Sequence, residues 1–438
     1  MSTSSPPECL PLTDEDLEAF KALFAASSAI GATPSGGLHR LAASREDGLA
    51  RDQLCDWLRE QDLEVRIDQA GNVFGLAVFD PEAPYVLCGS HLDSQPTAGR
   101  FDGAYGVIAG AVAVASLAAK LRAESIRPAF NIAVVNWTNE EGARFQPSLI
   151  GSSVFIGSMT AEQAWACRDL DGIDLKSALQ DIGYLGAEPV RLPLAAYLEI
   201  HVEQGLDLER RKAAIGVVRK TWAALKLTLE FEGFQAHTGP TPMPERRDAL
   251  LAASRAVALV RELADQHPGR MHSSVGRLEV YPNSPNVVPS QVRAFVEFRS
   301  EEPELLAETL SRFEAQLDRI SQQTATAYRV IQRQLREAQF LHDGLARLAH
   351  QACAELGLAA ADSTTIAGHD AISLSKSGPS MLLFVPSRDG IAHNEAEFTS
   401  EAQLLDGLRA LNQLLYCASL GHGGLSAGGA ASTSGALQ

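Results

Sequence analysis

Four short, continuous apolar runs separated by stretches of helical periodicity restrict this chain to a layered α/β architecture. They are Tyr85-Val86-Leu87-Cys88, Asn131-Ile132-Ala133-Val134-Val135-Asn136, Ala196-Tyr197-Leu198-Glu199-Ile200 and Ser380-Met381-Leu382-Leu383-Phe384-Val385. Each is too short for a buried helix, and none alternates as a half-solvated strand does. Runs that are apolar on both faces belong in a mostly parallel sheet with helices on either side. The Ala/Val-rich segment from Tyr105 to Leu121 reads as the helix that follows the first strand.

Between about Ile215 and Leu335 the pattern changes. Lys226-Leu227-Thr228-Leu229-Glu230-Phe231 alternates, as does Val292-Arg293-Ala294-Phe295-Val296-Glu297-Phe298-Arg299. Alternation suits an antiparallel sheet with one wet face. Amphipathic helices are expected over 247–265 and 302–322. The chain therefore reads as an α/β catalytic domain (13–214 and 336–420) carrying an inserted α+β domain (215–335). Residues 1–12 and 421–438, polar or Gly/Ala/Ser-rich, are expected to be disordered tails.

A length of 438 residues suits two domains. A formal net charge of −17 argues against nucleic acid or an anionic membrane surface as partner. The six cysteines form no Cys-x-x-Cys pair, which suits reduced thiols in a cytoplasmic protein. The first residues show no signal-peptide pattern, and the apolar stretch from Val107 to Ala119 is too short to span a bilayer.

Each of the four strands leads to a metal-type side chain. The first runs into His91 and Asp93, the second into Glu140-Glu141, the third into His201 and the fourth into His393. Ligands in open α/β sheets bind outside the carboxyl ends of strands. A lone histidine after a strand is usually structural, and a pair of glutamates is as often a wet loop. Solvated-loop residues have no reason to recur at four buried strand ends, so the joint placement points to metal. Asp102, in the turn before the Tyr105 helix, adds a fifth donor. Mixed imidazole and carboxylate suit zinc or manganese, and five ligands suit two ions sharing a carboxylate. His39, His267, His342, His350 and His422 lack such a setting and read as surface residues.

Gly89-Ser90-His91-Leu92-Asp93, Phe101-Asp102-Gly103-Ala104, Asn139-Glu140-Glu141-Gly142 and Glu199-Ile200-His201-Val202-Glu203-Gln204-Gly205 occur in that order. So do His237-Thr238-Gly239-Pro240, Asn283-Ser284-Pro285-Asn286, Ala367-Gly368-His369-Asp370 and Ala392-His393-Asn394. Together they resemble the amidase/hydantoinase/carbamoylase branch of the aminoacylase-like dinuclear metallohydrolases. The resemblance implies a lid and dimerisation role for the inserted domain, and a homodimer. It also implies two divalent ions per subunit, zinc or else manganese, cobalt or nickel. His91 and His201 would hold one, Glu141 and His393 the other, with Asp102 bridging. Asp93 is placed to accept the second N–H of His91.

The same resemblance makes Glu140 the general base for a water activated between the ions. His237 would be a neutral donor reaching a partner subunit's site. Gln204, Asn286, Arg299 and His369 would contact a small carboxylate-bearing substrate. The implied reaction is hydrolysis of an N-carbamoyl amino acid, of L-α or β-alanine type. Allantoate or an N-acyl amino acid is the alternative, and a metal-free scaffold protein the alternative of another class. Thr365-Ile366 and Glu395-Ala396 depart from the usual motif where substrate shape is read.

Overall fold

Two compact units make up the chain in the computed structural model, which describes residues 10–425. Of the described residues, the first comprises 10–219, Leu341–Ser363 and 368–425. The second comprises Lys220–Phe340 with Thr364–Ala367. The inserted unit thus begins and ends five residues later than 215–335, and it takes a four-residue segment from beyond its own end. Residues 1–9 and 426–438 of the expected tails lie outside the described residues. Within the described parts, Leu10, Leu12 and Leu425 pack on the first unit's core, and the Leu10 carbonyl accepts from Asn412 Nδ2 at 2.9 Å.

The first unit is built on an eight-stranded sheet. Its four central strands, Asn131–Trp137, Tyr85–His91, Leu194–Val202 and Ser380–Val385, lie side by side and are mutually parallel. Antiparallel strands flank them, Val73–Ala77 on one side and Ile215–Thr221 on the other. All residues of the first, second and fourth of the apolar runs are buried, as a doubly covered sheet requires. The helix read from Tyr105 runs Ala104–Ala123 and packs on three of the central strands. Its 20 residues make it the one described helix long and apolar enough to cross a membrane, where a shorter stretch was expected. In this fold 89% of its apolar window is buried. Its small Ala and Gly side chains let the helix approach the sheet closely.

The second unit is a four-stranded antiparallel sheet with two helices, Ala249–Asp265 and Pro303–Thr324. Alternate residues Leu225, Leu227, Leu229 and Phe231 pack with Val292, Ala294, Val296 and Phe298 against Phe313 and Leu317. The intervening residues carry charge, with Glu230 opposite both Arg293 and Arg329 across the strands.

Candidate metal centre

Register places the donors at one edge of the first unit's sheet. His91 is the last residue of its strand and pairs with Trp137, three residues before Glu140. His201 pairs with Phe384, so the strand leading to His393 ends beside it. Asp102 enters from the turn that starts the Ala104–Ala123 helix. Gly103 caps that helix at φ +65°, and a Cβ there would sit 2.2 Å from the His91 ring. Only glycine allows the turn to lie against the imidazole.

The donors fall into two groups that share Asp102. His91, Asp102 and His201 offer ligand atoms within 4.8 Å of one another, as do Asp102, Glu141 and His393. Asp102 Oδ1 lies 3.6 Å from His91 Nε2 and 3.0 Å from His201 Nε2. Its Oδ2 lies 3.5 Å from His393 Nε2, which is also 3.5 Å from Glu141 Oε2. The first group is fully buried; His393 is half-exposed on its loop, at φ +52°.

Tautomers test whether a cation fits. His91 Nδ1 faces the Asp93 carbonyl at 2.9 Å, and His201 Nδ1 faces the Val202 carbonyl at 2.9 Å. A carbonyl only accepts, so a neutral ring keeps its proton on Nδ1 and presents a lone pair at Nε2. Those lone pairs point at carboxylate oxygens, including Glu140 Oε2 at 3.5 Å from His91 Nε2. At His91 acceptor faces acceptor, which is favourable only around a positive charge; His201 Nε2 also receives the Gly103 N–H at 3.1 Å. The donor set fits a divalent ion in each group.

The electrostatics agree at His91, which burial lowers to about 4 despite Asp102 beside it, leaving a neutral ring able to ligate. Burial also opposes charge on His201, but the Asp102 carboxylate outweighs it and raises that group to about 9, so that an ion there displaces a proton from the ring. Burial would raise Asp102 too, yet His201, His393 and His91 hold it well below the carboxylate range. Glu140 is pushed well up by burial, then by Asp370 and Glu141. Glu141 is pushed well up by burial, then by Asp102 and Asp93. Carboxylates that repel one another in a dry pocket are the counterpart of bound cations.

Supporting contacts differ in part from expectation. The Asp93 group that receives the His91 N–H is its backbone carbonyl; its carboxylate oxygen is 3.7 Å away. That carboxylate instead accepts the Glu140 and Glu141 N–H groups, both at 3.3 Å, and so holds the acidic pair in place. Gln204 Nε2 donates to Asp102 Oδ2 at 2.8 Å, while its Oε1 is buried without a hydrogen-bond partner. His369 is 2% exposed, its ring edge-on to His201 at 4.7 Å and packed on Phe384. Two contributors were not singled out from sequence. Gln95 donates to both Glu141 oxygens, and Glu397 accepts from the turn that carries Asp102.

His237, Asn286 and Arg299 belong to the second unit. A two-residue ladder pairs His237 with Val287, so Asn286 and His237 are neighbours, both exposed. Gly239 N–H donates to His237 Nδ1 at 3.0 Å. Arg299 donates to the Ile366 carbonyl at 2.7 Å and to Glu297 at 2.9 Å. His342, read as a surface residue, is partly buried and caps the Asp343–Glu355 helix.

Comparison with known proteins identifies the family. The sequence pattern of Peptidase family M20/M25/M40 covers residues 87–416. The N-carbamoyl-L-amino-acid amidohydrolase of Rhizobium meliloti is 36% identical over 371 residues, 84% of this chain and 88% of that protein. The allantoate amidohydrolase of Bacillus subtilis (strain 168) is 30% identical over 390 residues, 88% of this chain and 94% of that protein. A solved amidase of the hydantoinase/carbamoylase family from Burkholderia vietnamiensis has a TM-score of 0.87 at 36% identity, covering 93% of this chain and 99% of that one. The chain belongs to peptidase family M20/M25/M40, in its hydantoinase/carbamoylase amidase branch, and is a hydrolase of carbon–nitrogen bonds other than peptide bonds.

Proposed function

We propose that this protein hydrolyses the carbamoyl C–N bond of an N-carbamoyl amino acid, of L-α or β-alanine type. The observation that carries the reading is Gln204, whose amide is fixed on Asp102 while its Oε1 is buried and unpartnered. A buried acceptor without a donor costs about 1–3 kcal/mol. A carbamoyl NH₂ supplies that donor, whereas the methyl of a simple acyl group does not.

Two divalent ions, zinc or else manganese, cobalt or nickel, are held by His91, His201 and Asp102 and by Asp102, Glu141 and His393. Bound there, such ions acidify water and polarise a carbonyl. Glu140, buried beside His91 and raised in proton affinity, takes the proton of the attacking water and returns it to the leaving nitrogen. Water adds to the carbamoyl carbon and its bond to the amino-acid nitrogen breaks, releasing the amino acid and carbamic acid, which then breaks down to ammonia and carbon dioxide. The family resemblance assigns the substrate carboxylate to Asn286 and Arg299, matched by the planar fork of a guanidinium. It gives His237 the role of donor to the carbonyl oxygen, from a partner subunit in a homodimer. His369, packed on His201, steadies that ligand's ring at the substrate side. The free thiols Cys55, Cys88, Cys167, Cys353 and Cys417 suit a cytoplasmic address.

Allantoate carries the same ureido donors, and the Bacillus subtilis relative favours it as the second reading. The test is a panel of N-carbamoyl amino acids, allantoate and N-acyl amino acids, assayed after chelation and metal restoration. Ammonia from the carbamoyl compounds alone supports the first reading. Preferred turnover of allantoate installs the second, and release of a free carboxylic acid from N-acyl compounds removes both. Gln204→Leu is expected to lower kcat/KM for the carbamoyl substrate by about 10–100-fold.

A further inference from the structure

Glu397 is 4% exposed, and one of its carboxylate oxygens accepts two consecutive backbone N–H groups, Phe101 at 3.1 Å and Asp102 at 3.0 Å. The other oxygen is buried with no hydrogen-bond partner. The fit around it is tight: a Cβ on Gly99 would come within 2.3 Å of the carboxyl group. Burying a carboxyl group is costly unless hydrogen bonds offset it, and two N–H groups shared by one oxygen are modest compensation. A side chain kept under those terms holds a geometry.

What it holds follows from the chain around it. Glu397 lies four residues after His393, and a turn joins them: Glu397 N–H donates to the Asn394 carbonyl at 3.0 Å, and Ala396 N–H to Asn394 Oδ1 at 2.9 Å. Glu395 in the same turn is held by the Thr33 hydroxyl. His393 itself is half-exposed and sits on a loop rather than a strand. Its distance from Asp102 is therefore set through Glu397, which grips the Asp102 turn across 295 residues of sequence.

We infer that Glu397 is a positioning residue that locks His393 to Asp102, and so sets how tightly the ion shared by Asp102, Glu141 and His393 is held. The inference rests on the two-ion reading above. Asp102 serves the His91–Asp102–His201 group as well, but both imidazoles of that group come from strands, whereas His393 depends on the Glu397 turn. Loss of Glu397 therefore weakens the ion shared by Asp102, Glu141 and His393 more than the other. Supporting hydrogen bonds of this kind change metal affinity by about 10–100-fold.

The experiment uses the full-length zinc-loaded protein, titrated with a chelator while bound zinc is counted by mass spectrometry and folding is followed by circular dichroism. Wild type is expected to release two ions in two steps. In Glu397→Ala the first step moves to about 10–100-fold lower chelator and the second moves less; Glu397→Gln, which keeps an oxygen for the two N–H groups, restores most of the difference. If the alanine variant does not fold, Glu397→Asp, one methylene short of the turn, is expected to show the same selective shift. Two unmoved steps in a folded Ala or Asp variant overturn the inference, and so does equal weakening of both steps, which marks a general structural role. A wild type that binds fewer than two ions instead overturns the two-ion reading itself.

Discussion

Gln95 holds Glu141 from two directions: its backbone N–H donates to Oε1 at 3.2 Å, and its side-chain amide to Oε2 at 2.9 Å. A ligand carboxylate fixed before the ion arrives loses less freedom on binding it. Gln95→Leu keeps the backbone donor and the volume but removes the amide. It is expected to raise the metal concentration needed for half-maximal activity by about tenfold, with an unchanged circular-dichroism spectrum. An unmoved metal-activation curve would show that the amide contributes nothing to the site.

Glu140→Gln separates chemistry from metal binding. Glutamine preserves the shape beside His91 but cannot take a proton, so turnover is expected to fall by about 10²–10⁴-fold. Metal content should stay at the wild-type level, because the two donor groups do not require Glu140. Metal analysis of the purified variant alongside its kcat decides the point, and retained activity removes Glu140 from the role of base.

Metal affinity should climb with pH. Burial, followed by neighbouring carboxylates, pushes Glu140 and Glu141 well up, and Asp93 is raised to about 7 by burial with Asp47 adding to it. The sign follows from proton counting: raised carboxyls retain protons that a dication must displace, so the loaded protein binds fewer protons than the unloaded one. Affinity therefore falls as pH drops from 8 to 6, by up to about tenfold per unit for each displaced proton. Calorimetry in two buffers of different ionisation enthalpy should register proton release, and a pH-independent affinity would contradict the electrostatic account.

Gly103→Ala tests the close approach of the Asp102 turn to His91. The added methyl meets the ring at 2.2 Å from a backbone at φ +65°, which together should cost about 2–4 kcal/mol. Gly157→Ala is the control, with a similar φ of +75° and open space around the methyl. Thermal melts should show the larger loss at Gly103, accompanied by reduced metal content there alone. Equal losses at the two positions would leave only the backbone term.

Much of this candidate centre was legible from sequence because the donors that the fold brings together stand where strands stop. His91, His201 and Glu140-Glu141 each follow an apolar run whose direction and burial are encoded by side-chain type. Glu397 and Gln95 were not legible. Glu397 sits in Glu395-Ala396-Glu397-Phe398, which reads as a wet loop, and its partners are backbone N–H groups that leave no trace in residue identity. Gln95 is a neutral amide with no motif of its own. The carboxylate of Asp93 was expected on His91 from a spacing of two residues, but at that spacing the backbone carbonyl reaches the ring first. The unit boundary shifted because the strand Ile215–Thr221 is shared, beginning in the first unit and ending in the second.

The centre draws His91, Asp102, Glu141 and His201 from the first half of the chain and His393 from near its end. The inner trio is therefore complete in the growing chain at residue 201, with 237 residues still to follow. The outer trio has to wait for the last central strand, Ser380–Val385, to take its place in the sheet. On the two-ion reading proposed above, a growing polypeptide carries a complete donor set for the first ion long before it carries one for the second.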